Sequence, residues 1–94
     1  MATATLNGVV LAESDDTVIV EGNHYFPPES VKLKYFSENP KTSVCPWKGT
    51  ASYYDVTVDG KISPAAAWYY PAPKDAAAEI ANHVAFWGEI KVTG

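Results

Sequence analysis

Within ten residues, Cys45-Pro46-Trp47-Lys48-Gly49-Thr50-Ala51-Ser52-Tyr53-Tyr54, the chain gathers its one thiol, an indole, an ammonium and two phenols. Such a mixture makes poor core and good cleft lining. A thiol whose thiolate is stabilised by a nearby cation is a nucleophile, so Cys45 with Lys48 close by is one candidate pair. Lys48 precedes Gly49, where the backbone can be approached closely, and its ammonium suits a carboxylate, a phosphate or a developing anion. Glu21, at a strand end before Gly22, is a candidate general base if desolvation raises its pKa. Each has a plainer alternative: Cys45 as a small apolar side chain, Lys48 as a cation-π or surface ion-pair partner, Glu21 as an acceptor for turn amides. Pro46 biases Cys45 toward extended backbone, so no helix dipole assists the thiol. His24 and His83 are proton-shuttle candidates that serve equally well as structural histidines.

Aromatic side chains supply the candidate ligand-binding set. Tyr25 and Phe26 are stiffened by Pro27-Pro28, and Tyr53, Tyr54, Trp68, Tyr69 and Tyr70 fall on two segments read as a hairpin. Alternation sends about half of each set to either face. One face must be core, and aromatics on the other give a stacking surface whose phenol and indole tips orient a planar ligand. The cleft set is Tyr25, Phe26, Trp47, Tyr53, Trp68 and Tyr70, with His24. Asp55 and Asp59 share a strand face, but Asp59 belongs to a turn, and no metal site follows.

Composition narrows the classes. Of 94 residues, 47% are hydrophobic, which fits one ordered domain over residues 1–94. The net charge is −4 and the seven basic residues are all Lys, so the planar guanidinium fork that grips phosphate and guanine edges is missing and nucleic-acid binding is not expected. No Lys or Arg precedes Lys32 and no apolar run reaches membrane-spanning length, so the expectation is a cytoplasmic protein with no membrane partner. One Cys and two His fall short of a closed zinc site, and no cofactor is expected.

The elements that must position these residues are mainly strands. Ala4 to Leu11 is strand-like around Asn7-Gly8, a bend or bulge, and Ser14-Asp15-Asp16 reads as the turn of a hairpin with Thr17-Val18-Ile19-Val20. Glu21-Gly22-Asn23-His24 carries turn chemistry. Val31, Leu33 and Tyr35 alternate with Lys32 and Lys34 as in a half-buried strand, and Ser37 to Ser43 is polar, contains Asn-Pro and reads as a surface loop. Ala51 to Val58 ends in Asp59-Gly60, a strong hairpin signal, and Ile62 to Tyr70 returns as its partner, distorted near Pro64. Pro73 to Ala85, rich in Ala, Glu, Asp and Lys with Ile80 and Val84 at helical spacing, predicts a short helix; Glu89 to Thr93 predicts a closing strand. The sum is an α+β domain, mainly β, of about six antiparallel strands with one short helix near the C-terminus.

Three blocks, Glu21-Gly22-Asn23-His24-Tyr25-Phe26-Pro27, Cys45-Pro46-Trp47-Lys48-Gly49 with Ala51-Ser52-Tyr53, and Ala66-Ala67-Trp68-Tyr69-Tyr70-Pro71 running into Val84-Ala85-Phe86, together resemble the small bacterial family called domain of unknown function 427 (DUF427). The resemblance implies a mainly β fold, tent-like or a partly open barrel, akin to zinc-binding and methionine sulfoxide reductase domains. Those relatives use four cysteines; with Cys45 alone, neither their zinc nor their redox chemistry is carried over. A nucleotidyltransferase-like label also attaches to the family, but this chain has no Gly-rich phosphate loop, no Arg and no Asp-x-Asp pair. Many longer relatives place an Arg after the Tyr-x-Pro element, where Pro28 stands here.

The functional expectation is a domain binding a small aromatic or anionic metabolite in a cleft formed by Tyr25-Phe26, Cys45 to Lys48 and Trp68 to Tyr70. The alternatives are a small enzyme using Cys45 or Glu21 with Lys48, and a protein-interaction or homodimerisation module; monomer and homodimer both remain open. Thiol reactivity separates binding from nucleophilic catalysis. The expected outcome is slow alkylation of Cys45 in the native protein and fast alkylation after denaturation, and fast native labelling at neutral pH would favour the nucleophile.

Overall fold

Nine strands, all paired antiparallel, form three sheets in the computed structural model, which describes residues 1–94. Strands β1 (Ala2–Leu6) and β2 (Val9–Ser14) pair across Asn7-Gly8, and β9 (Lys91–Thr93) adds to β1. A two-stranded ribbon joins β3 (Val18–Val20) to β4 (Asn23–Tyr25), so the hairpin expected across Ser14-Asp15-Asp16 does not form: β2 pairs back with β1 instead. The largest sheet runs β5 (Phe36–Cys45), β6 (Gly49–Val58), β7 (Lys61–Tyr69), β8 (Val84–Phe86) in sequence order. It is open, not a closed barrel.

This largest sheet is covered on both faces, and period-two alternation decides which residue goes where. Val56 and Val58 of β6, Ala67 of β7 and Val84 and Phe86 of β8 pack with Ala2, Ala4 and Leu6 of β1 and Leu11 of β2. The opposite face carries Ala51, Tyr70 and Ala85, which meet Tyr25 from the ribbon and Ala77 and Ile80 from the late segment. Tyr53 and Trp68, direct cross-strand partners, lie on this second face. Tyr54 and Tyr69 turn to the first, stacked with ring centroids 4.6 Å apart. Burial and the neighbouring Tyr69 push the Tyr54 phenol up to about 12.

Several expectations are corrected. The polar stretch Ser37 to Ser43 is strand, not loop: β5 is the sheet's outer strand, which suits its exposed side chains, and Pro40 sits where the register shifts between Asn39 and Thr42, so no ladder donor is lost. Val31 to Tyr35 is not a strand. Val31 makes one bridge to Ala12, Leu33 to Tyr35 is a single 3₁₀ turn, and Leu33 is 61% exposed. The expected helix over Pro73 to Ala85 is reduced to 3₁₀ turns at Asp75–Ile80, because Ala77 leaves helical backbone (φ −123°, ψ 22°) and Asn82 takes a left-handed φ of 61°. Val84 belongs to β8. Of Glu21-Gly22-Asn23-His24, only the first two residues turn, at φ 54° and 81°. No helix is long and apolar enough to cross a membrane.

The distortion expected near Pro64 is a register shift between Tyr54 and Val56, where the Asp55 carboxylate replaces the missing ladder contacts. Its Oδ1 accepts from Ala65 N–H at 2.8 Å and from Asn39 Nδ2 at 2.7 Å, and Ala65 stands at φ 49°. Those two bonds, the Ala65 amide first, hold the Asp55 carboxyl below its usual range. A depressed folded pKa means that the unfolded chain protonates first, so this contribution is complete above about pH 4 and lost on further acidification. Asp55→Ala is expected to cost about 1 kcal/mol at pH 7, ~5 °C in Tm, by orphaning both donors. In urea unfolding the gap between variant and parent should narrow as pH falls below 4. A constant gap would mean that the carboxylate charge plays no part.

Candidate functional site

The lysine-bearing bend is stapled from outside. Lys74 donates its backbone N–H to Lys48 O at 2.9 Å and its Nζ to Pro46 O at 2.6 Å, fixing both ends of Pro46-Trp47-Lys48. Gly49 follows at φ 115°, a conformation L side chains rarely adopt, and passes close to Ala72 and Lys74. The bend therefore turns the Lys48 side chain inward. Lys48 is only 7% exposed, and its Nζ lies 5.4 Å from the Trp47 ring centroid and 5.6 Å from that of Tyr70.

A buried ammonium requires a counter-charge. Glu21, across the fold at the tip of the β3–β4 ribbon, supplies it through a hydrogen-bonded ion pair. Glu21 does so from left-handed backbone (φ 54°), a position hairpins ordinarily give to Asn, Asp or Gly. Burial alone pulls Lys48 down; the Glu21 hydrogen bond, with Tyr25 and Tyr70 nearby, more than offsets it and holds the ammonium above its ordinary value. The same hydrogen bond holds Glu21 below its own. Burial raises the Tyr70 phenol against the opposing pull of Lys48.

Beside this pair opens a cavity of about 260 Å³ lined by Lys41, Lys48, Tyr53, Trp68, Tyr70 and Trp87. Beneath it Tyr25 is fully buried, edge-on to Trp68, and its hydroxyl accepts from Trp68 Nε1 at 3.1 Å. The Tyr53 hydroxyl pairs with Ser43 Oγ at 2.9 Å. Lys41 Nζ hangs over the mouth, 4.9 Å from the Tyr53 ring centroid and 5.7 Å from that of Trp87. No carboxylate lies within ion-pair distance of Lys41.

Of the residues singled out in sequence, Lys48, Tyr53, Trp68 and Tyr70 line one cavity, Tyr25 supports it and Glu21 neutralises its buried cation. Trp47 stays at the rim beside Lys48. Cys45 is half-buried opposite Gly49 and packs against the second cluster. Phe26 lies elsewhere: it is 0% exposed, edge-on to Phe86 in the first cluster, because alternation puts it opposite to Tyr25. His24 is also outside, its Nδ1 bonded to Thr17 Oγ1 at 2.8 Å, and His83 Nδ1 lies 3.0 Å from Ala81 O. No group of three or more His, Cys, Asp or Glu comes together that could hold a metal ion.

Sequence reasoning missed Lys41 and Trp87. Lys41 was hidden by reading β5 as loop. Trp87 was legible: Val84 and Phe86 alternate onto the core face, so Ala85 and Trp87 fall on the Trp68 face.

An open antiparallel β domain with an aromatic cavity beside a neutralised lysine is the class that the fold and site define. The chain belongs to the family described as Domain of unknown function (DUF427), which it matches over residues 1–94. A comparison with curated proteins finds no match.

The Lys48–Glu21 pair makes a direct prediction. Glu21→Ala lowers Tm at neutral pH by leaving a shielded ammonium unpaired, and Glu21→Ala with Lys48→Met recovers most of the loss. With Glu21 depressed and Lys48 raised, the pair's contribution is complete between about pH 4.3 and 10.4 and is lost outward on both sides. A double variant no more stable than Glu21→Ala would show that the charge pair carries no weight.

Proposed function

We propose that this domain binds a small planar acid, one aromatic ring bearing a carboxylate, in the Lys41–Trp68 cavity. The observation that carries the reading is the division of labour between two lysines. Lys48 already has its counter-ion, whereas Lys41 presents an unpaired ammonium across the aromatic mouth. A ring entering the cavity meets Tyr53, Trp68 and Trp87, and its acid group meets Lys41. The volume, just under the roughly 300 Å³ at which small-molecule pockets begin, suits a single ring.

A binding role fits these residues better than proton transfer. A general base must take up a proton from its substrate, and Glu21, bonded to Lys48 with its pKa lowered, is a poor acceptor. Lys48, held above its usual pKa, stays an ammonium and serves as a fixed positive wall.

Calorimetric titration with phenylacetate and with neutral phenylacetamide tests the reading. Phenylacetate should bind at least about tenfold more tightly, the scale of one charge-assisted hydrogen bond. Lys41→Gln should erase that difference, and Trp68→Ala should weaken both probes. Equal affinity of the two probes for the parent, or no binding of either, would overturn the proposal.

A further inference from the structure

Folding leaves Trp87 52% exposed, yet holds it firmly. Its indole Nε1 donates to Ala65 O at 2.7 Å and its backbone N–H to Ala66 O at 3.1 Å. The bracket beneath is itself built. Ala65 keeps a left-handed φ of 49°, unfavourable for an L-residue, while its N–H is tied to Asp55, which Asn39 also grips. Backbone strain ending in a fixed, half-open indole is the pattern of a preorganised contact surface.

Trp87 lines more than the cavity with Lys41. A second cavity of about 270 Å³ adjoins it, with Ile62, Ser63 and Glu89 among its walls. Each cavity alone falls below the roughly 300 Å³ at which ligand pockets begin, and Trp87 is the one lining residue they share. Their charges are sorted. The near cavity offers the unpaired Lys41 ammonium. The far one offers the Glu89 carboxylate, whose Oε2 accepts from Ser63 Oγ at 3.3 Å and which has no cation within ion-pair distance. Lys61, also at the far cavity, is exposed and held by no side-chain hydrogen bond, so the oriented group there is the acid.

The geometry points to a two-part site in which an elongated ligand straddles Trp87, its aromatic ring and carboxylate in the Lys41 cavity and a protonated amine on Glu89. This rests on the reading of the near cavity given above. The simplest molecule with that layout is a free tripeptide ending in phenylalanine, about 10 Å long when extended and so able to reach across one indole. Its free amine sets it apart from the C-terminus of a longer polypeptide.

Calorimetry with Ala-Ala-Phe, N-acetyl-Ala-Ala-Phe and phenylacetate, on the parent and on Glu89→Gln, is the test. Ala-Ala-Phe should bind the parent at least tenfold more tightly than phenylacetate. N-acetylation should remove that gain, and so should Glu89→Gln, which keeps its affinity for phenylacetate. If phenylacetate binds and the tripeptide binds no better, the two-part site is wrong while the near cavity stands. If the tripeptide gain survives both N-acetylation and Glu89→Gln, the amine contact is wrong. If neither probe binds, both readings fall together.

Discussion

The ammonium of Lys48 is withdrawn from water, and the surrounding structure is arranged to make that tolerable. Removing a charge from solvent costs several kcal/mol unless a partner and hydrogen bonds replace the lost hydration. The partner comes from the tip of a separate two-stranded ribbon, so the pair ties that ribbon to the β5–β6 bend. Glu21 accepts an unfavourable left-handed backbone (φ 54°) to do it, and the bend relies on Gly49, which takes φ 115° without a Cβ penalty. Because the pair cancels its own charge, the neighbouring cavity is governed by Lys41. The site therefore carries one free positive charge rather than two.

The four-stranded sheet supplies the frame. Covered on both faces, it works as a central layer, and alternation along β6, β7 and β8 sorts aromatics into structural and available sets. Tyr54, Tyr69 and Phe86 go to the face that packs on the β1–β2–β9 sheet. Tyr53, Trp68 and Trp87 go to the other, where the ribbon and the 3₁₀ turns cover only part of the surface and the remainder is the cavity. The site is thus the uncovered portion of a core face. Its aromatic character follows from the rule that fills the core, and only its polar residues, Lys41, Lys48 and Ser43, call for a separate explanation.

Much of this was legible in the sequence because it rests on local chemistry. Asp59-Gly60 fixed the β6–β7 hairpin, Asn7-Gly8 marked a bend, and alternation sent about half of the hairpin's aromatics to either face, the register then setting Tyr53 beside Trp68. Lys48 and its aromatic neighbours stood out by composition alone. What was not legible depended on distant partners. β5 has the polar composition of a loop and is strand only because β6 offers it a hydrogen-bonding edge. Val31-Leu33-Tyr35 has a strand's period but no continuous edge to join, and makes one bridge. The Ala-rich stretch after Pro73 has helix propensity, but its anchors pull apart: Ile80 packs into one cluster and Val84 into the other. That demand breaks the helix, since tertiary packing outweighs propensities of a few tenths of a kcal/mol per residue.

The Asp55 bracket links the frame to the site. A register shift in the middle of a long hairpin would ordinarily leave an amide unsatisfied, and a carboxylate placed there caps the Ala65 N–H at the cost of an alanine in left-handed backbone. The carbonyl that this strain turns outward is the one that receives the Trp87 indole. Were the bulge only a device for bending the sheet, glycine at position 65 would serve better and the outward carbonyl could bond to water. An alanine there, with a tryptophan fixed on its oxygen and both neighbouring cavities open onto that ring, ties the irregularity to the placement of Trp87. Rigidity at this wall and openness on either side of it then have a single structural cause.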